Sequence, residues 1–490
     1  MNAVDSLFFI RSEIFLAAVI FVVLILDFFI QQKRWLGWLS VLSILIAFFL
    51  SPSFYPDSGL FFNYYTLDPF GFFFKTIAYL TIGLTLLASL AYEKIPQKQA
   101  GEFYVLLLTM ALLLTFMGGA TNLLMIFLTI ESVSLTSYLL TGFQKFDKRS
   151  SEASLKYVLF GAVSSAVMLF GMSLLFGASG TIELSQIGEL LKSSASIPQN
   201  VLTQTGGANT HGMILMGMLF LMAGIGFKIS MVPFHMWAPD VYQGAPTPVT
   251  AFLTVAPKAL GVAVMARVLF FAFPDLVHKW AFLMTWISIA TMTIGNVIAI
   301  SQSDIKRLLA YSSIAQAGYI LAGLATPGEL GLQATLIYIA AYLLTNLGAF
   351  FTVIAIERNL ESNELEAYNG LSVRNPLLAL VLTIFLLSLA GIPPLAGFIG
   401  KIYIFSSAIK AHSIPLALSI ALNSAVAAYY YFNVVKAMYL APPKVKEPLT
   451  NPFPIKLAIG TMLFGTFLIG LWPSLIIQAV VKSLANFPIF

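Results

Sequence analysis

The chain has 490 residues, is 59% hydrophobic and only 10% charged, and has a mean hydropathy of +0.90. Soluble domains average about 25% charged residues, so there is too little charge here for a water-facing shell, and lipid is the expected solvent. Cysteine is absent, which excludes disulfides, thiolate-held iron–sulfur clusters and Cys-based zinc sites. The four histidines (His211, His235, His278 and His412) are too scattered to argue for a metal or haem centre. The net charge of +5 is spread over short loops and reads as membrane topology rather than nucleic-acid affinity.

A membrane-spanning helix needs about 20 apolar residues. In chain order such runs fall near 10–30, 36–55, 67–92, 103–120, 121–143, 156–178, 212–232, 248–273, 280–301, 306–325, 331–357 and 376–396. A broken segment and a full span follow within 398–440, and a last run covers 455–480, for about fourteen spans. Runs this long lack the alternation of barrel strands, so an all-α polytopic membrane protein is expected. The first run is too long for the apolar core of a signal peptide and no small-residue cleavage site follows it, so an unprocessed N-terminus is expected.

With the N-terminus outside, fifteen Lys and Arg face the cytoplasm, among them Lys33, Arg34, Lys145, Lys148, Arg149, Lys306, Arg307, Lys444 and Lys446. Five (Arg11, Lys192, Lys279, Lys410 and Lys482) face outward. That bias follows the positive-inside rule and, with an even span count, puts both termini outside. The stretch 181–211 is polar and rich in Gly, Ser and Thr, as expected of an outer surface connection.

Charge at mid-membrane costs roughly 2.5–3.5 kcal/mol per residue even on lenient scales, so residues there need a reason. Glu131, Lys228, Lys258 and Lys401 lie deep in apolar runs. Each lysine is close to proline: Lys228 precedes Pro233, Lys258 follows Pro257, and Lys401 follows Pro393 and Pro394. Proline deprives the carbonyl four residues earlier of its N–H partner. The carbonyls of Ile229, Leu253, Leu389 and Ala390 are thereby freed, and nearby glycines loosen the same segments. Freed carbonyls beside a cation suggest hydrated pockets on discontinuous helices.

Burial disfavours charge and a nearby opposite charge restores it, so Glu131 beside Lys228 would make a unit whose proton affinity depends on its separation. A structural ion pair or a lone protonated carboxyl is the competing reading for Glu131. Lys75, Lys156 and Arg267 are expected to snorkel to the membrane surface. Lys156 and His235 are also candidate relay groups. Ser312, Ser313, Gln316 and Tyr319 could hold water or make ordinary interhelical hydrogen bonds.

The broken elements carrying Lys228 and Lys401 are 173 residues apart. Counting five spans in each of two groups makes both broken helices fourth in their group. An odd number of spans per group inverts one group relative to the other. The expected organisation is N-terminal helices at 1–100, a first repeat at 101–275, an inverted second repeat at 276–440 and a C-terminal helix at 441–490.

The segments "KISMVPFHMWAPDVYQGAPTPVTAFL", "APKALG", "DIKRLLAYSSIAQAGY" and "LSLAGIPPLAGFIGK" together resemble the antiporter-like membrane subunits of proton-pumping NADH:quinone oxidoreductase, respiratory complex I. The likeness covers about residues 60 to 440. Lys401, where subunit M-like relatives usually carry Glu, points to the subunit N (subunit 2) branch, as does an end soon after the last span, where subunit L-like relatives continue into a lateral helix.

The resemblance implies a proton path through Glu131, Lys228, Lys258 and Lys401, joined by water and polar side chains. It implies no redox centre in this chain; NADH, flavin, iron–sulfur clusters and quinone belong to partner subunits. The implied partners are subunit M, the small membrane subunits and the lipid bilayer, with no nucleic acid. The implied location is a bacterial inner membrane. A subunit of a multisubunit cation/proton antiporter is the alternative within the same family.

Overall fold

Apolar runs alone do not say where a helix begins; short polar side chains that can take the free N–H groups of a first turn do. The structure, a computed structural model, describes residues 7, 9–51, 63–195, 207–360, 362–443 and 450–488. In chain order its helices are α1 (Arg11–Phe29), α2 (Arg34–Leu50), α3 (Pro69–Ser89), α4 (Ala100–Gly118), α5 (Leu123–Thr141), α6 (Lys148–Ser179), α7 (Leu184–Ala195), α8 (Gly207–Ile229), α9 (Ala238–Gly244) and α10 (Thr247–Arg267). They continue as α11 (Val277–Ala299), α12 (Ile305–Leu324), α13 (Glu329–Leu360), α14 (Leu371–Arg374), α15 (Pro376–Ala390), α16 (Ala396–Lys410), α17 (Ile414–Leu440), α18 (Phe453–Leu471) and α19 (Pro473–Ser483).

The caps are the polar residues between the runs. Asp68 accepts from the Gly71 N–H at 2.7 Å and opens α3. Asn122 accepts from Met125 N–H at 2.8 Å, and Asp304 from Arg307 N–H at 2.9 Å. Asn375 takes the Leu378 N–H at 3.0 Å, with Pro376 in the first helical position, where its missing N–H costs nothing.

Eleven described helices are long and apolar enough to cross a membrane, and α2 and α15 are shorter apolar helices. The run at 306–325 became α12, whose apolar character is diluted by Lys306, Arg307, Ser312, Ser313 and Gln316. Among the described residues extended pairing is confined to isolated bridges such as Asp304 with Glu364. The stretch 181–211 contains α7, while residues 196–206, the side chain of His211, and Lys444 and Lys446 lie outside the described residues.

Helix α10 is buried along its whole length and packs against α3, α4, α5, α8, α12 and α13. The outer helices turn large apolar side chains such as Phe21, Phe28, Phe49, Val163 and Phe464 outward, as a lipid-facing surface requires.

Two expectations are overturned. Lys75 does not snorkel: its ammonium is 2.6 Å from the Glu13 carboxylate and both side chains are 1% exposed. Nor does Arg267. Its guanidinium forms a two-pronged pair with Asp68, at 2.6 and 3.0 Å, and Nε donates to the Gly118 carbonyl at 3.1 Å. In both cases a carboxylate on another helix makes burial cheaper than extension toward water. Lys306, one of the lysines expected on the cytoplasmic side, is buried and donates to the Ala245 carbonyl at 2.7 Å.

Both proline breaks interrupt their helices. Helix α8 stops at Ile229 and the chain turns through Ser230, at a positive φ of 62°, into irregular backbone before α9. Helix α15 stops at Ala390 and turns through Gly391, φ 92°, before α16. The peptide bonds Val232–Pro233 and Pro393–Pro394 are cis.

Candidate functional site

Lys258 sits mid-way along α10, 1% exposed. Its ammonium donates to the hydroxyl of Ser313 on α12 at 2.6 Å and to the Ser313 carbonyl at 3.1 Å. The Tyr342 hydroxyl of α13 donates to the Ser313 hydroxyl oxygen at 2.8 Å. The Tyr242 ring lies 5.5 Å from the ammonium, a cation–π contact. The carbonyl of Leu253, freed by Pro257, accepts from the Tyr242 hydroxyl at 3.3 Å. The proline thus opens one backbone acceptor in the middle of the bundle, and a tyrosine beside the lysine occupies it.

The second break is filled the same way. The Ala390 carbonyl accepts from the Lys401 ammonium at 2.9 Å, and the Leu389 carbonyl accepts from the Gln316 amide at 3.3 Å. The Lys401 ammonium also lies 4.6 Å from the centre of the Tyr319 ring. Gln316 accepts from the Tyr338 hydroxyl and donates to the Tyr431 hydroxyl at 3.4 Å, and Tyr431 also bonds to Ser312. Helix α12 therefore presents Ser312, Ser313, Gln316 and Tyr319 as one polar face between Lys258 and Lys401. The two lysines are joined through it by hydroxyls and an amide, interrupted only by the covalent steps between Ser313 and Ser312 and between Leu389 and Ala390.

Lys228 ends α8, where a cation suits the helix dipole, and is 1% exposed. Its ammonium donates to the Ser134 hydroxyl of α5 at 3.0 Å and lies 5.9 Å from the Tyr157 ring. Glu131 is one turn before Ser134 on α5, half-buried, and accepts from the Ser165 hydroxyl of α6. Among the described residues Glu131 and Lys228 form no ion pair within 4 Å: the carboxylate is held by Ser165 and the ammonium by Ser134. Between Lys228 and Lys258 the chain places aromatic rings. Tyr157 is stacked on Trp237 at 4.3 Å, and Trp237 meets Tyr242 edge-on at 5.5 Å. His235 is buried on the irregular stretch between α8 and α9, where its carbonyl accepts from the Ala238 N–H at 3.0 Å.

Lys156 stands apart, 38% exposed, with its ammonium 2.7 Å from both Glu152 and Asp240. Asp240 also pairs with Arg307 at 2.7 Å, and the group lines a surface cavity of about 300 Å³. Partial burial pushes the Asp240 carboxyl up, but hydrogen bonds from Lys156 and Arg307 outweigh it and hold the group below its ordinary value.

Sequence reasoning passed over Glu357 at the end of α13. It is 3% exposed, accepts from Lys94 at 2.8 Å and from Thr247 at 2.5 Å, and faces a second polar cavity of about 310 Å³. No local signal marks it, because Glu at the end of an apolar run ordinarily marks the water boundary. Among the described residues no group of three or more His, Asp and Glu is placed to hold a metal ion.

Buried ammonium groups beside proline residues inside a polytopic helical bundle place this chain in the class of membrane proteins that carry ionisable residues within their spans. The profile of the NADH:quinone oxidoreductase/Mrp antiporter transmembrane family matches residues 120–427, and the chain belongs to that family. It is 40% identical over 474 residues to the NADH-quinone oxidoreductase subunit N of Trichlorobacter lovleyi, covering 96% of this chain and 95% of that one. Its fold is similar to a chain of respiratory complex I from Thermus thermophilus, with 30% identity, a TM-score of 0.79, and coverage of 96% of this chain and 99% of that one. A chain of the Mrp complex from a Dietzia species shares the fold at a TM-score of 0.83 and 18% identity, over 99% of this chain and 98% of that one.

Proposed function

We propose that this chain is a membrane-arm subunit, of the subunit N type, of a proton-translocating NADH:quinone oxidoreductase. It conducts protons along Glu131, Lys228, Lys258 and Lys401, with His235 and Lys156 as relay groups. The observation that carries this reading is the polar face of α12, which joins Lys258 to Lys401 through buried hydroxyls and an amide. Such a line is expensive in an apolar interior unless it does something, because every member must be satisfied where no bulk water reaches.

In this reading residues 101–275 and 276–440 are two inverted five-helix units, each broken in its fourth span, flanked by 1–100 and 441–490. The breaks at Ile229 and Ala390 support that division. NADH, flavin, iron–sulfur clusters and quinone sit in partner subunits, and electron transfer there drives proton movement here. The neighbours are subunit M and the small membrane subunits, in a bacterial inner membrane with both termini outside.

The test is Lys228→Met in the assembled complex. Translocation predicts an assembled complex with NADH-driven proton transport lost; a scaffold role predicts poor assembly with transport intact in what does assemble. The fold shared with the Dietzia Mrp complex supports a second reading, a subunit of a multisubunit cation/proton antiporter. Co-purification separates the two: flavin- and cluster-bearing subunits travelling with this chain support the first, and their absence favours the second.

A further inference from the structure

Four side chains of α10 fall on one stripe: Thr247, Thr250, Thr254 and Lys258, spaced three, four and four residues apart. All three threonines are fully buried. Helix α13 runs antiparallel against this stripe and offers polar groups at matching heights. Glu357 accepts from Thr247 at 2.5 Å, and the Asn346 amide donates to Thr254 at 2.7 Å. Tyr342 meets Ser313 beside the Lys258 ammonium at 2.8 Å. The stripe runs eleven residues, about 16 Å of helix, and so reaches from one face of the bundle to its middle.

Each end has its own feature. At the outer end, the cavity of about 310 Å³ is lined by Lys94, Asp304, Lys306 and Glu357, so the buried carboxylate faces polar space. Near the inner end, Asn346 is fully buried and its carbonyl oxygen has no hydrogen-bond partner among the described residues. A buried amide oxygen left open on a side chain that bonds Thr254, whose carbonyl takes the Tyr342 hydroxyl at 3.0 Å, is a place where a water would be held.

We infer that Glu357 and the Thr247–Thr250–Thr254 stripe form a proton-uptake path that delivers to Lys258. This rests on the proton-conducting reading above. A proton from water in the cavity converts the Glu357 carboxylate to the acid. The Thr250 and Thr254 hydroxyls rest on the Tyr242 and Ala251 carbonyls, at 2.8 and 2.7 Å, so the proton passes along the stripe through water bridging successive hydroxyls, including water at Asn346, to the neutral Lys258 amine, which becomes the ammonium. Glu357 returns to the carboxylate, and only O–H and N–H bonds are exchanged. Lys94 and Lys306, from the α3–α4 connection and α12, keep the carboxylate among cations; Lys306 gives its own hydrogen bond to the Ala245 carbonyl. Asp304 shares the cavity wall.

The experiment uses the intact complex in inverted membrane vesicles, reading protons moved per electron from NADH. Glu357→Gln and Thr254→Val are each expected to lose transport to the level of Lys258→Met, in assembled complex with electron transfer to quinone still measurable. Thr254→Ser, which keeps the hydroxyl, is expected to retain it; a packing role for Thr254 would not be rescued by the smaller serine. Should Glu357→Gln assemble poorly, the Thr254 pair decides alone. Normal transport in Thr254→Val, with Lys258→Met inactive, overturns the path and leaves the proposed function standing. Normal transport in Lys258→Met overturns both.

Discussion

The Lys401 ammonium is hydrogen-bonded at 2.9 Å to the Ala390 carbonyl, the acceptor that Pro394 leaves without an N–H. Gly391 lies directly under this contact with φ 92°, and a Cβ there would come 2.7 Å from the Lys401 side chain. Gly391→Ala is therefore expected to cost about 1–2 kcal/mol from the left-handed backbone alone. It should also push the lysine off its acceptor. Thermal unfolding of the purified complex should show the first effect and reduced proton transport the second. Unchanged values for both would mean that the break has room the geometry does not show.

Glu131→Gln keeps the shape of the side chain and removes its charge. Ser165 can still donate to the amide oxygen, so the α5–α6 contact survives. The expected result is an assembled complex with impaired proton transport. Wild-type pumping in this variant would remove Glu131 from the path.

The Tyr242 hydroxyl and Pro257 are coupled through the Leu253 carbonyl. Tyr242→Phe leaves that carbonyl open in the bundle centre, at a cost of roughly 0.6–2 kcal/mol, the range for interhelical hydrogen bonds in membranes. Pro257→Ala restores an N–H to it. Measured by unfolding in a double-mutant cycle, Tyr242→Phe should cost less in the Pro257→Ala background than alone. Strict additivity would show that Tyr242 does not act through Leu253.

Asp240 ties Lys156 to Arg307 across the polar surface cavity. Its carboxyl lies below its ordinary value, so the tie is fully present above that value and is lost only as pH falls through the lowered one. Because the side chain is 33% exposed, each pair is worth roughly 0–1 kcal/mol. The stability lost in Asp240→Asn should accordingly be small and constant between about pH 5 and 8, shrinking only in stronger acid. A difference that fades within that neutral window contradicts the assignment.

Much of this molecule could be read from local pattern. The helical membrane architecture follows from the length of the apolar runs, because one hydrogen-bonded helix is the cheapest way to carry about twenty backbone groups through lipid. The breaks near Lys228 and Lys401 follow from Pro233, Pro393 and Pro394, because proline removes a specific hydrogen bond wherever it stands. That Leu253, Leu389 and Ala390 would need other donors was legible for the same reason.

Which donors they received was decided by the tertiary structure: Tyr242, Gln316 and Lys401 reach these carbonyls once the helices are packed. The same holds for the buried cations. A lysine or arginine in an apolar run snorkels or stays inside according to what faces it across the bundle, and that partner is remote in sequence. Arg267 finds Asp68 199 residues away, and Lys94 finds Glu357 at 263. Local pattern determined that ionisable groups would sit within the membrane; only the packing of α10 and α16 against α12 determined that Lys258 and Lys401 meet the same polar face, because burial energy depends on the partner and not on the residue alone.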